Sequence, residues 1–422
     1  MRAYELRAAF ATRMAAMYGR EVPAYTTLVD VAAQVNADAV AKDPHAAQRL
    51  GSLDRVTAER HGAIRVGTPA ELRQVSRVFA ALGMHPVGFY DLRDAASAVP
   101  VVSTAFRPLA ADELARNPFR MFTSLLVSDD RRFFSAELQQ RLETFLAGRT
   151  LFPPRLTELA EVAIAAGGLH ADLAEEFLVL ATASFELSAE PVDRAWYAEL
   201  AAVSSVAADI GGVRSTHINH LTPRVLDVDE LYRRMASRGI AMIDAIQGPP
   251  KWDGPDVLLR QTSFRALDER CTFREPDGSL SEGTLRVRFG EVEARGLALT
   301  PLGRGRYDEA LCAVDSRPGE DAAGIWGEFF PRTESELFDT GLAYFELAAD
   351  GTRSPIVYED FLPRSAAGIF QSNLTGGGGK DEAGQVAPRD AAWLSEAIGA
   401  EVLDPFVLYA AQQQASIERR SR

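Results

Sequence analysis

Two stretches of the chain carry the same chemistry in the same order. His61-Gly62-Ala63-Ile64-Arg65 is followed by Val66 and then Glu71-Leu72, and His220-Leu221-Thr222-Pro223-Arg224 is followed by Val225 and then Glu230-Leu231. The whole chain contains only 6 histidines, so a match in both halves points to duplication rather than chance. On a strand, residues i and i+4 share a face. Each His and its Arg are therefore expected to point the same way, and two related modules would each offer one imidazole to a shared cavity. Two neutral imidazoles and one carboxylate, with adjacent positions left open, form the facial set suited to non-haem Fe(II).

The carboxylate is expected from the alternating segment Gly283 to Thr300, where Leu285, Val287, Phe289, Glu291, Glu293, Arg295, Leu297 and Leu299 fall on one face. Acids on an apolar strand face are costly to bury without a partner. Glu291 and Glu293 are both candidates, because Gly290 could host a bulge that reorients one of them. The uninterrupted β pattern around Glu293 favours that residue as the ligand. His217 competes with His220, but residues three apart on a strand face opposite ways and only His220 keeps the repeat register. Arg65, beside His61, is suited to gripping a carboxylate through two parallel hydrogen bonds; the plainer reading is an ion pair with a structural acid. Arg224 is its repeat partner, disturbed by Pro223. Arg260, Gln261, Ser263 and Arg295 are further polar candidates for the same cavity.

These side chains need a scaffold. Each repeat reads as a strand, a helix and further strands: about 62–66, 69–82, His85 onward and Val101–Arg107 in the first, then His220 onward, 229–238, 242–247 and 257–264 in the second. The pattern is an α+β fold of duplicated β-α-β-β modules. Residues 1–60 form a helical segment, 61–128 the first module, 129–208 a helical insertion, 209–375 the second module, and 376–422 a mobile loop with a helical tail. Gly376–Gly379 and Lys380 resemble a phosphate loop only superficially, since Asp381 stands where Ser or Thr is required and no strand leads in.

Bulk properties narrow the partners. Apolar residues make up 47% and charged residues 25% of 422, ordinary globular values that permit a sizeable core. A formal charge of −14 argues against nucleic acid or an anionic membrane as the main partner. The 2 cysteines, Cys271 and Cys312, exclude a disulfide scaffold or zinc ribbon and fit a reducing cytoplasm. No apolar run approaches a membrane span, and the first residues lack a signal-peptide core.

The strings Glu59 to Thr68, Ser103 to Pro108, Asn219 to Asp227, Phe289 to Gly296 and Ser365 to Asn373 carry a specific resemblance. The chain resembles the 2-oxoadipate dioxygenase/decarboxylase family, over nearly its whole length. The resemblance implies a vicinal-oxygen-chelate-like curved sheet around Fe(2+). It also implies an oxidoreductase turning 2-oxoadipate and O2 into 2-hydroxyglutarate and CO2 in lysine degradation. Its metal ligands fall on His61, His220 and Glu293, and its substrate-binding residues on Arg65 and Arg364. The family commonly has an apolar residue at the last of these, so Arg364 would bear on substrate length. The implied partners are a small 2-oxo dicarboxylate and O2, with no nucleic acid and no membrane. A same-fold isomerase, lyase or hydrolase using Zn or Mn, or a non-catalytic small-acid binding protein, are the rival readings; oxygen uptake separates them.

Overall fold

The computed structural model describes residues 1–94, 98–286, 288–362 and 384–420. Its first module begins with β1 (Arg60–Val66), which leads into a helix at Pro69–Ala81 and then β2 (His85–Asp91), β3 (Val101–Arg107) and β4 (Arg120–Leu126). The repeated Glu-Leu pair explains why the helix starts where it does. Thr68 Oγ1 accepts from the Glu71 backbone N–H, the Glu71 carboxylate accepts from the Thr68 backbone N–H, and Pro69 supplies a preset first turn. Leu72 is then buried against the sheet. In the second module Asp227 caps the helix Val228–Ser237 through the Glu230 N–H, and Leu231 is buried likewise.

Between the modules lie helices at 136–147, 154–166, 171–183, 194–203 and 205–212, with the two-residue β5 (Val192–Asp193) among them. The last helix, Ser205–Gly212, runs across the boundary expected at 208/209. The second module then supplies β6 (His220–Pro223), β7 (Leu259–Phe264), a hairpin of β8 (Glu269–Arg274) and β9 (Leu280–Leu285), and β10 (Gly290–Arg295). Helices at Ala3–Glu21 and Pro23–Lys42 head the chain, and Ala391–Ile398 and Pro405–Arg420 close it.

The two modules share one topology. In the first, β1 pairs parallel to β4, β4 antiparallel to β3, and β3 antiparallel to β2. In the second, the end of β6 meets β10 in a parallel bridge at Arg224 and Glu293, and β10 pairs antiparallel to β7. Segment 242–247 lies beyond β7; a full strand is expected there, but it makes isolated bridges only, at Met242 and Gln247. The halves join where β1 runs antiparallel to β6, with His61 opposite Thr222 and Ala63 opposite His220. The sheet has two buried faces. Ile64, Val66, Met121, Leu125, Leu221 and Val292 pack under the flanking helices, while Ala63, Phe122, Leu126 and Ala105 face the other way.

The alternating segment from Gly283 to Thr300 is not one strand. β9 ends at Leu285 and β10 begins at Gly290, so the pattern is divided between a hairpin and the central sheet. Gly290 hosts no bulge either: Gly290, Glu291, Val292 and Glu293 pair in steady register with Phe264, Ser263, Thr262 and Gln261. A Cβ at Gly290 would come within 1.8 Å of the Phe264 ring, so the glycine serves close packing. Glu291 and Glu293 consequently share the inner face.

Candidate metal centre

The antiparallel junction between β1 and β6 places the two repeated histidines diagonally across one strand pair. Their rings stand edge to face with centroids 5.4 Å apart. Each turns Nε2 toward the Glu291 carboxylate: His61 Nε2 is 3.7 Å from Oε1 and His220 Nε2 is 3.4 Å from Oε2. One donor atom from each of the three residues lies within 4.8 Å of the others, and all three residues are buried. Metal–ligand bonds of about 2.0–2.2 Å meeting near right angles put donor atoms ~3 Å apart, so the spacing suits a single small cation.

The electrostatics point the same way. Burial depresses the His61 imidazole, with the nearby Glu293 charge only partly opposing it. Burial also holds His220 well below its ordinary range, helped by His61 and Arg65. Both rings are therefore neutral and can donate lone pairs. Burial and the neighbouring Glu293 charge push Glu291 well above the usual carboxylate range. Its ion pairs among the described residues are with those two imidazoles alone. A divalent ion would supply positive charge to a buried acid so surrounded.

Glu293, the expected third ligand, is engaged elsewhere. Arg295, two residues along the same face, grips it with Nε 2.6 Å from Oε1 and Nη2 3.0 Å from Oε2. Burial raises this acid, but Arg295 and His61 outweigh it and bring Glu293 down to about 2. Its Oε1 lies 3.1 Å from His61 Nδ1, on the far side of the ring from Glu291. A carboxylate at that distance favours a proton on Nδ1, the arrangement of an outer-sphere carboxylate beside a metal-bound histidine. Arg295 is itself held by the Tyr358 and Asp360 carbonyls, each at 2.9 Å.

Behind this layer sits a buried charge network. Glu59 takes Arg120 at 2.7 Å and Arg224 at 2.8 Å, and Arg120 also pairs with Glu359. Arg224, the repeat partner of Arg65, is thus a structural cation. Arg260 turns outward to Asp229 at 2.7 Å. Rings close over the donors: Phe361 is 4.9 Å from the His61 ring and Phe289 is 5.0 Å from His220.

Arg65 is buried on the inner face and pairs with Asp209. Asp209 is a residue that sequence reasoning missed; its signal was a single acid inside the otherwise apolar helix Ser205–Gly212. His217, considered as a rival ligand, places Nε2 3.1 Å from Asp209 Oδ1 instead. Arg364 and the glycine run lie outside the described residues.

Two modules of one topology, joined at their first strands around two imidazoles and a buried carboxylate, define a fold of the vicinal oxygen chelate type with a candidate metal site. Sequence comparison gives the family. The profile of the 2-oxoadipate dioxygenase/decarboxylase family matches residues 10–373. The chain is 59% identical over 420 residues to the 2-oxoadipate dioxygenase/decarboxylase of Mycobacterium tuberculosis strain H37Rv, covering 99% of this chain and 98% of the relative. It is 40% identical over 449 residues to that of Escherichia coli K12, covering 98% and 97%. It is also similar to the crystal structure of the hydroxyglutarate synthase in complex with 2-oxoadipate from Pseudomonas putida. There the TM-score is 0.85 at 36% identity, with 100% of this chain and 98% of the other covered. The chain belongs to the 2-oxoadipate dioxygenase/decarboxylase family. No helix among the described residues is long and apolar enough to cross a membrane.

Proposed function

We propose that this protein is an Fe(II)-dependent dioxygenase/decarboxylase converting 2-oxoadipate and O2 to 2-hydroxyglutarate and CO2, with His61, His220 and Glu291 as the metal ligands. The observation that carries this reading is the convergence of two neutral Nε2 atoms on one carboxylate that pairs with no arginine among the described residues. The family relationship supplies the substrate and reaction class. Ferrous iron, held by this set, would supply the redox chemistry that O2 requires, and three protein donors leave room for substrate.

The chain's own residues do the rest. Glu293, locked by Arg295 and 3.1 Å from His61 Nδ1, favours a proton on that nitrogen and leaves Nε2 as the lone pair. Phe361 and Phe289 exclude water from the two imidazoles. Arg65 holds the substrate's far carboxylate, a positioning role that brings the chain's reacting end to the donors. The overall change balances: one oxygen atom ends in the new carboxylate and the other in the hydroxyl, while the original carboxyl leaves as CO2. Oxygen-electrode and CO2 measurements on anaerobically iron-loaded protein test it. Uptake and CO2 release dependent on 2-oxoadipate are expected; neither occurring with iron bound would remove the proposal in favour of non-oxidative metal chemistry.

A further inference from the structure

The segment between the insertion and β6 touches both ends of the proposed site. His220 is its metal donor. One residue earlier, the Asn219 N–H donates to the Ala63 carbonyl at 2.9 Å, setting the segment against β1 between His61 and Arg65. Thr216 Oγ1 donates to the Arg65 carbonyl at 2.7 Å, which fixes the arginine's backbone. The arginine's head is fixed through Asp209. Its Oδ2 takes Arg65 Nη1 and accepts from Asn219 Nδ2 at 3.0 Å, while Oδ1 faces His217 Nε2 at 3.1 Å. All of these residues are buried.

An arginine that only needed neutralising would need one acid and no more. Here the acid's Oδ2 is itself held by Asn219, and its Oδ1 lies against His217, whose Nε2 is also 3.3 Å from Asn219 Nδ2. Both residues belong to the segment that ends in a metal donor. A guanidinium presents its donors in a rigid planar fork, so holding one nitrogen fixes the direction in which its other edge faces. We propose that Asp209 is a positioning residue: held by His217 and Asn219, it aims Arg65, and segment Thr216–His220 thereby sets the distance between metal and far-carboxylate grip. That span selects the substrate's chain length and its second carboxylate. This rests on the reading of Arg65 given above.

The test compares 2-oxoadipate with 2-oxohexanoate, which has the same carbon count but no far carboxylate. Binding is measured by calorimetry without oxygen on iron-loaded protein, and turnover by oxygen uptake. Wild type should prefer the diacid. In D209N that preference should fall by about 10- to 100-fold, the scale of a misplacement of ~1 Å, with KM for 2-oxoadipate rising more than kcat falls. H217L should follow D209N, and H217Q, which keeps a donor toward Asp209, should restore the preference. Equal loss for both acids, or loss of bound iron in D209N and H217L, would reduce the network to a structural role and overturn the proposal. An unchanged preference would overturn it too. Should wild type consume no oxygen with either acid, the assigned reaction falls, while the binding preference still decides the role of Asp209.

Discussion

The two modules place corresponding residues at corresponding points and use them differently. His61 and His220 are equivalent and do the same thing. Arg65 and Arg224 are equivalent and both buried but do not: one pairs with Asp209, the other with Glu59 within a network of four arginines. The fourth strands diverge further. Arg65 stands beside Ser124 across the β1–β4 pairing and Arg224 beside Glu293 across the β6–β10 bridge, so Phe122 corresponds to Glu291. Where the second module offers an acid, the first offers a ring that packs against Phe361. Duplication supplies two imidazoles, and the unequal fourth strands leave the carboxylate on one side. In the proposed centre, a three-donor set with an open half would follow from that asymmetry, whereas a symmetric pair of acids would fill positions a substrate needs.

The asymmetry can be attacked directly. Glu291→Ala should lose metal affinity by more than the ~100-fold typical of disturbing an outer partner, read as iron content after dialysis. Retention of iron there, with loss in a Glu293 variant, would reverse the ligand assignment. Restoring symmetry with Phe122→Glu should keep iron bound while turnover drops by about 100-fold, because an added donor displaces substrate from its aligned position; undiminished turnover would show that this strand does not border the open positions. Glu293→Gln should be milder, weakening metal affinity about 10- to 100-fold by freeing the His61 ring, which a competitive chelator titration would measure. Arg224→Leu should leave metal affinity near wild type but cost about 3 kcal/mol in urea denaturation, at the low end for breaking a buried pair because Arg120 and Arg295 remain on Glu59. A loss of iron equal to that of Glu291→Ala would erase the contrast between the two arginines.

The duplicated register made the imidazoles, the helix starts and the α+β class legible, since capping, burial and strand parity are local rules that the letters obey. Choosing between Glu291 and Glu293 was a different matter. Parity put both inward, and the proposal of Glu291 turns on which acid Arg295 claims. That cue was present in the spacing, because residues 293 and 295 share a face, but its weight depends on how closely the strands pack. Asp209 lies far from Arg65 in the chain, and only the tertiary fold brings them together. The break between β9 and β10 was hidden because a hairpin leaving the sheet and a strand within it show the same alternation. Residues 363–383, with Arg364 among them, lie outside the described residues.

The β1–β6 seam spans only Arg60 to Ala63 against His220 to Pro223, yet it carries one histidine from each half. Separate subunits meeting along such an edge would assemble their centre only as fast as they met, and dilution would dismantle it. Within one chain the two donors arrive in fixed one-to-one ratio at every protein concentration. An ion gripping both would also act as a staple across that four-residue seam, so metal loss should be felt as the halves loosening along it.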